Sequence, residues 1–168
     1  MPALRSDIDP DGLMEFSVVF TDRSLNHMSK AFQTVMTDIH ATLCEVYHAD
    51  TAVVVPGGGT YGMEAVARQI AGDEDVMVIR NGFFSFRWSQ IFDAGAIPKS
   101  QTVLKARRTG NEITAPFAPA PLEEAVAEIH ALKPAAVFAP HVETASGMIL
   151  PDGYIRALSD AVHEEGGL

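Results

Sequence analysis

Short apolar runs alternate with helix-length amphipathic stretches along most of this chain, and that alternation constrains the fold more than any other feature. "DVMVIR" (75–80) and "SQTVLKAR" (100–107) read as strands, and "AAVFAP" (135–140) as a buried strand. "FSFRWSQIFDAG" (84–95) reads as a helix stopped by Gly95, and a second helix is expected from about Leu122 to Leu132, between prolines. "DGYIRALSDAVHEEGG" is a final helix closed by Gly166 and Gly167. A further strand, "TAVVV" (51–55), is expected to lead through a glycine loop into a helix from about Tyr61 to Ile70. Parallel neighbours need long crossovers, and helices supply them. The fold class expected is therefore α/β, a mostly parallel sheet with helices on both faces. Ligands of such sheets sit beyond the strand C-terminal ends.

Before this core, residues 1–25 read as an irregular arm containing an extended "FSVVF", and Asn26 as the N-cap of a long helix. Met28, Phe32, Val35, Met36, Ile39, Leu43 and Val46 fall on one stripe of that helix. A chain of 168 residues suits one domain with a real core. It stops just after a helix, where the next strand would begin, so it is expected to be the front part of a longer protein. A net charge of −10 argues against a nucleic acid or an anionic membrane as the main partner. The single cysteine, Cys44, excludes an internal disulfide framework, fits a reducing compartment and is expected to pack rather than react. No apolar run approaches the roughly 20 residues of a bilayer span, and the N-terminus lacks the pattern of a signal peptide. A cytoplasmic location is expected.

Three stretches carry candidate chemistry. In "VVVPGGGTYGMEA" the spacing of Gly57, Gly59 and Gly62 satisfies G-x-G-x-x-G, and Arg80 at the next strand end would meet a 2′-phosphate. The acid that fixes a ribose is missing there, however. The same loop also reads as a phosphate cup for another cofactor, with the amides of Gly58, Gly59 and Thr60 as donors, or as a tight turn with no ligand. In "RNGFFSFRWSQ" (80–90) and the helix that follows, Phe86, Trp88 and Phe92 are expected in the core. Phe84 lies nearer the strand end, where an aromatic face can stack on a planar ring. "APHVETASGM" (139–148) is a poor core sequence and a good site sequence. His141 and Glu143, two residues apart, do not make a metal-ligand pattern, and no metal site is expected.

Taken together, these pieces resemble the class V aminotransferases of fold type I, pyridoxal-phosphate enzymes of the alanine–glyoxylate and serine–pyruvate type. The likeness rests on "NHMSKAFQTVMTDI", "PGGGTYGMEAVARQIAGDEDVMVIRNGFFSFRW" and "VFAPHVETASGMILP", in this order and at this spacing. It implies pyridoxal 5′-phosphate as cofactor, with its phosphate held by Gly58, Gly59 and Thr60. Phe84 would stack on the pyridine ring and Thr144 would hydrogen-bond near the phenolic oxygen, while His141 and Glu143 would line the pocket. It implies that residues 26–168 are part of the large domain of a homodimer. That enzyme would move an amino group between a small amino acid such as alanine or serine and a 2-oxo acid such as glyoxylate or pyruvate. In the family, later segments bring the aspartate at the ring nitrogen, the Schiff-base lysine and an arginine for the substrate carboxylate. None of Lys30, Lys99, Lys105 and Lys133 stands where that lysine does, so the 168 residues alone are expected not to transaminate. Other expectations are a lyase, desulfurase or decarboxylase of the same fold, an NADP-dependent oxidoreductase, or a non-catalytic module with an exposed sheet edge.

Overall fold

The computed structural model describes residues 27–168, which fall in two compact units, 27–54 and 55–168. The expected arm and its "FSVVF" lie outside the described residues. In the first unit, helix α1 (Lys30–Tyr47) is capped not by Asn26, as expected, but by Ser29, three residues further on, whose hydroxyl accepts from the Phe32 N–H at 3.1 Å. It ends at His48, which adopts the left-handed conformation at φ 49° and returns its N–H to Cys44 and Glu45. No α1 residue is fully buried; Phe32, Met36, Leu43 and Cys44 are half-buried.

The expected strand at 51–55 does not form. Val53 is 81% exposed, and no strand among the described residues pairs with this segment. A β-branched run has a preference for extended backbone, but only a ladder partner makes it a strand.

In the second unit the alternation takes shape as expected. Helix α2 (Gly59–Ile70) leads through a tight turn into strand β1 (Asp75–Arg80), followed by α3 (Phe83–Gly95) and β2 (Ser100–Lys105). Two short strands, β3 (Arg107–Arg108) and β4 (Phe117–Ala118), form an antiparallel hairpin before α4 (Leu122–Leu132) and β5 (Ala136–Phe138). A second hairpin, β6 (Val142–Glu143) and β7 (Met148–Ile149), precedes α5 (Asp152–Glu164). The main sheet has the order β2–β1–β5 and is parallel throughout. On its other edge β5 exchanges backbone hydrogen bonds with Leu168: Val137 donates at 2.8 Å and Ala135 accepts at 2.9 Å.

The period of two in β1 decides which helices cover which face. Val76 and Val78 pack with Ala67 of α2 and Ala71 at its C-cap, Ile91 and Phe92 of α3, and Phe138. Met77 and Ile79 point the other way, to Ala125 and Ile129 of α4 and to Tyr154, Leu158 and Val162 of α5. The result is a three-layer α/β arrangement with helices on both faces of a parallel sheet. Phe92 and Phe138 meet edge to face with centroids 5.0 Å apart, and Trp88 lies 4.6 Å from Phe138.

Exposed ion pairs pin the loops around this core. Asp75, at the start of β1, accepts from Lys99 Nζ at 2.7 Å and Ser100 Oγ at 2.6 Å, which lowers its pKa. Arg107 forks onto Glu124 at 2.7 and 2.5 Å, and that bond lowers the glutamate's pKa. For such depressed carboxylates the unfolded chain binds more protons than the folded one as the pH falls. Their stabilisation is complete above the unfolded pKa and lost as the pH drops through the folded pKa. We expect the urea midpoint to fall on acidification from roughly pH 5 to pH 3, the usual range for paired carboxylates. A D75N/E124Q double variant should show a shallower acid decline in the same titration. An unchanged profile would mean these exposed pairs contribute nothing.

Candidate functional site

Helix α3 has a cap problem that the rest of the chain solves. Its N-cap residue is Gly82, which has no side chain to satisfy the first N–H groups. Glu143 supplies the missing acceptor from β6, 59 residues further along the chain from Phe84. One carboxylate oxygen accepts from the Phe84 N–H at 2.9 Å, and the other from the Ser85 N–H at 2.9 Å. Ser85 Oγ donates its one proton to Glu143 at 2.6 Å and accepts from the N–H groups of Asn81, at 2.9 Å, and Gly82, at 3.1 Å. The carboxylate is 1% exposed, yet it has three donors and stands at the positive end of a helix dipole, which is why an acid is tolerated there. Gly82 makes the approach possible, since a Cβ there would stand 2.5 Å from Glu143 Cγ.

Glu143 thus joins two of the three sequence stretches that carry candidate chemistry. Phe84 hangs on the bridged amide with its side chain outward, 54% exposed. Thr144, the next residue after Glu143, begins a single 3-10 turn (Thr144–Ser146) and is exposed. That turn closes on Gly147, at φ 66°, whose N–H reaches Thr144 O at 3.2 Å. Glu143 itself is part of the scaffold rather than of an open wall. His141 is exposed, with its ring 3.9 Å from the Asp152 carboxylate at the start of α5.

The glycine loop completes the same end of the unit. A short turn reverses the chain between α2 and β1, so the α2 N-terminus opens at the β1 C-terminal end, as does that of α3. Gly57, at φ 130°, takes a conformation that favours glycine, and a Cβ there would run into the Tyr61 ring. Gly58 is the N-cap of α2 and offers no side chain, so the first amides lack a side-chain acceptor. At Gly58 and Gly59 an added Cβ would meet nothing within 4 Å. Among the described residues nothing occupies the space into which a side chain at these two positions would project.

Of the aromatics expected in the core, Phe92 is there at 1% exposure, while Trp88 is half-buried. Phe86 departs from the expectation at 37% exposed, because its ring carries the Arg80 guanidinium 5.0 Å away at the top of the sheet. Sequence reasoning missed Ser85 and the capping role of Glu143. A glycine at an N-cap with serine three residues on is the one local hint that an acceptor must come from elsewhere.

A parallel sheet, helices on both faces and two helix N-termini at the strand C-terminal ends define an α/β fold with its open end formed by loops. A scan against protein-family models and a search of curated proteins each find no match. Among solved structures, a ureidoglycine–glyoxylate aminotransferase from Bacillus subtilis superposes with a TM-score of 0.65 and 22% identity, over 82% of this chain and 33% of that one. An alanine–glyoxylate aminotransferase from Nostoc sp. gives a TM-score of 0.65 and 24% identity, over 86% of this chain and 36% of that one. The chain shares its fold with these aminotransferase structures and spans about a third of their length. Among the described residues no helix is long and apolar enough to cross a membrane.

Proposed function

We propose that this chain is the cofactor-binding part, residues 26–168 of a large domain, of a pyridoxal-phosphate aminotransferase. The enzyme would act on a small amino acid and a 2-oxo acid such as glyoxylate or pyruvate, as a cytoplasmic homodimer. The observation that carries the reading is the Glu143 bridge. It ties the helix that presents Phe84 to the turn that presents Thr144, at the same end of the unit as a glycine loop whose first helical amides lack a side-chain cap. The residues fit the cofactor's chemistry. Open amides at Gly58, Gly59 and Thr60 suit a dianionic phosphate, the outward Phe84 face suits a flat ring, and the Thr144 hydroxyl suits a phenolic oxygen. Bound there, the cofactor supplies an electron sink for bond cleavage next to an amino group.

The chain's own residues bind and orient; the bond-making lysine of the family has no counterpart among its four lysines. Lys99 and Lys133 are engaged with Asp75 and Glu165, and Lys105 ends an edge strand. Choice between amino transfer and a lyase, desulfurase or decarboxylase reaction rests with residues of the family's later segments. The dinucleotide reading is weaker, because its fingerprint opens a helix directly from a paired strand, and among the described residues no strand pairs with 51–55.

Equilibrium titration followed by absorbance and fluorescence tests the reading. Pyridoxal 5′-phosphate should bind saturably, and pyridoxal without the phosphate at least about tenfold more weakly, as expected for loss of charge-assisted hydrogen bonds. Phe84→Ala should weaken binding about three- to tenfold, the worth of one aromatic contact. Saturable NADP binding with no pyridoxal-phosphate binding would overturn it.

A further inference from the structure

We propose that the cleft at the C-terminal ends of β1 and β2 binds a small organic carboxylate with an apolar, aromatic-sized body. The cleft holds about 480 Å³, within the range of small-molecule sites, and Arg80, Lys105, Phe83, Phe86, Phe117 and Ser146 supply most of its chemistry. Arg80 and Lys105 are direct register partners on neighbouring parallel strands. The pair two residues earlier, Val78 and Val103, packs into the core on the α2–α3 side, so both cations project from that same face. Like charges placed side by side on a sheet are destabilising, and something must offset them.

Nothing among the described residues does so. Arg68, Lys99, Arg107 and Lys133 each have a carboxylate partner, with pairs at 2.5 to 2.9 Å. The Arg80 side chain has only the Phe86 face at 5.0 Å and a long bond to Ser89 Oγ at 3.5 Å, and the Lys105 side chain makes no hydrogen bond or ion pair. No acidic side chain lines the cleft. Glu143 lies behind Gly82 with both oxygens committed to the α3 amides and Ser85. In a chain of net charge −10, an acid-free cleft with two side-by-side cations is a selective environment for an anion.

The walls decide which anion. Phe83 and Phe86 come from α3, and Phe117 comes from the β3–β4 hairpin, where Arg108 lies 4.9 Å from its ring. A free phosphate would meet the two cations but leave the faces of Phe83, Phe86 and Phe117 uncovered. A carboxylate needs only the paired cations, with the Ser146 hydroxyl near, and its apolar body can cover the phenylalanines. This site stands independently of the cofactor reading, since it uses none of the residues assigned to the cofactor.

Calorimetric titration of the purified chain with benzoate, benzamide and inorganic phosphate tests the proposal. Benzoate should bind, and benzamide, of the same size without the charge, should bind at least about tenfold more weakly. Lys105→Met should reduce benzoate affinity about tenfold, the worth of one charged contact. Lys105 is exposed, so that variant should keep the parent's circular dichroism and melting temperature. Benzamide binding as well as benzoate, phosphate binding better than benzoate, no benzoate binding, or an unchanged Lys105→Met would each overturn the proposal.

Discussion

Replacing Glu143 with alanine should lower the unfolding free energy by about 3–5 kcal/mol, since each buried donor left without an acceptor costs about 1–3 kcal/mol. The substitution strands the N–H groups of Phe84 and Ser85 and the Ser85 hydroxyl, which have no other acceptor as short. For a domain of this size each kcal/mol is worth about 2–4 °C, so the melting temperature should drop by about 10 °C. Glu143→Gln keeps the volume but turns an amide NH₂ toward backbone donors, and should cost about half as much. Urea denaturation by circular dichroism reads both effects. An alanine variant within about 1 kcal/mol of the parent would show that the carboxylate does not hold the helix end. Phe84 should also lose its fixed position, because its backbone is held by the bond that disappears.

Gly82→Ala should cost about 2–4 kcal/mol, more than most added methyl groups in a packed interior, because the methyl meets a bonded carboxylate rather than adaptable hydrocarbon. The cause is purely steric. Gly82 sits at φ 176°, extended backbone open to any residue, while the new Cβ would stand 2.5 Å from Glu143 Cγ and 2.7 Å from Cδ. The cost should therefore depend on Glu143 being there. In a double-mutant cycle, the Gly82→Ala penalty should shrink by about 1 kcal/mol or more in the Glu143→Ala background, as for residues in direct contact. Additive costs would contradict the close packing of these two residues.

The two substitutions explain why the site was only partly legible in the sequence. "HVETASG" reads as a functional strand end because of its polar residues, and "NGFF" reads as a turn followed by aromatics. Nothing local says that the glutamate of one caps the helix of the other. A cap supplied within one turn leaves a sequence pattern; a cap supplied from across the fold leaves only a glycine where a serine or aspartate is usual. The same limit applies at Arg80 and Lys105. Each ends its own strand, and only the β1–β2 register sets them beside each other on one face.

The strand at 51–55 shows the opposite error. Its composition is as good as that of β1, but β1 has β2 and β5 beside it, and 51–55 has no strand among the described residues. Phe86, expected in the core, is instead 37% exposed, with the Arg80 guanidinium 5.0 Å from its ring.

By itself the sequence determined the parallel α/β class, the order of the three parallel strands and the four helices in 55–168, and the glycine loop at a helix start, but not the two short hairpins. Those depend on periodicity and on backbone limits at glycine and proline, which act between residues a few positions apart. The tertiary structure alone decided which apolar run found a ladder partner, which carboxylate caps α3, and which two cations share a cleft. Those depend on contacts between distant segments, whose free energy exists only once the sheet has fixed their register.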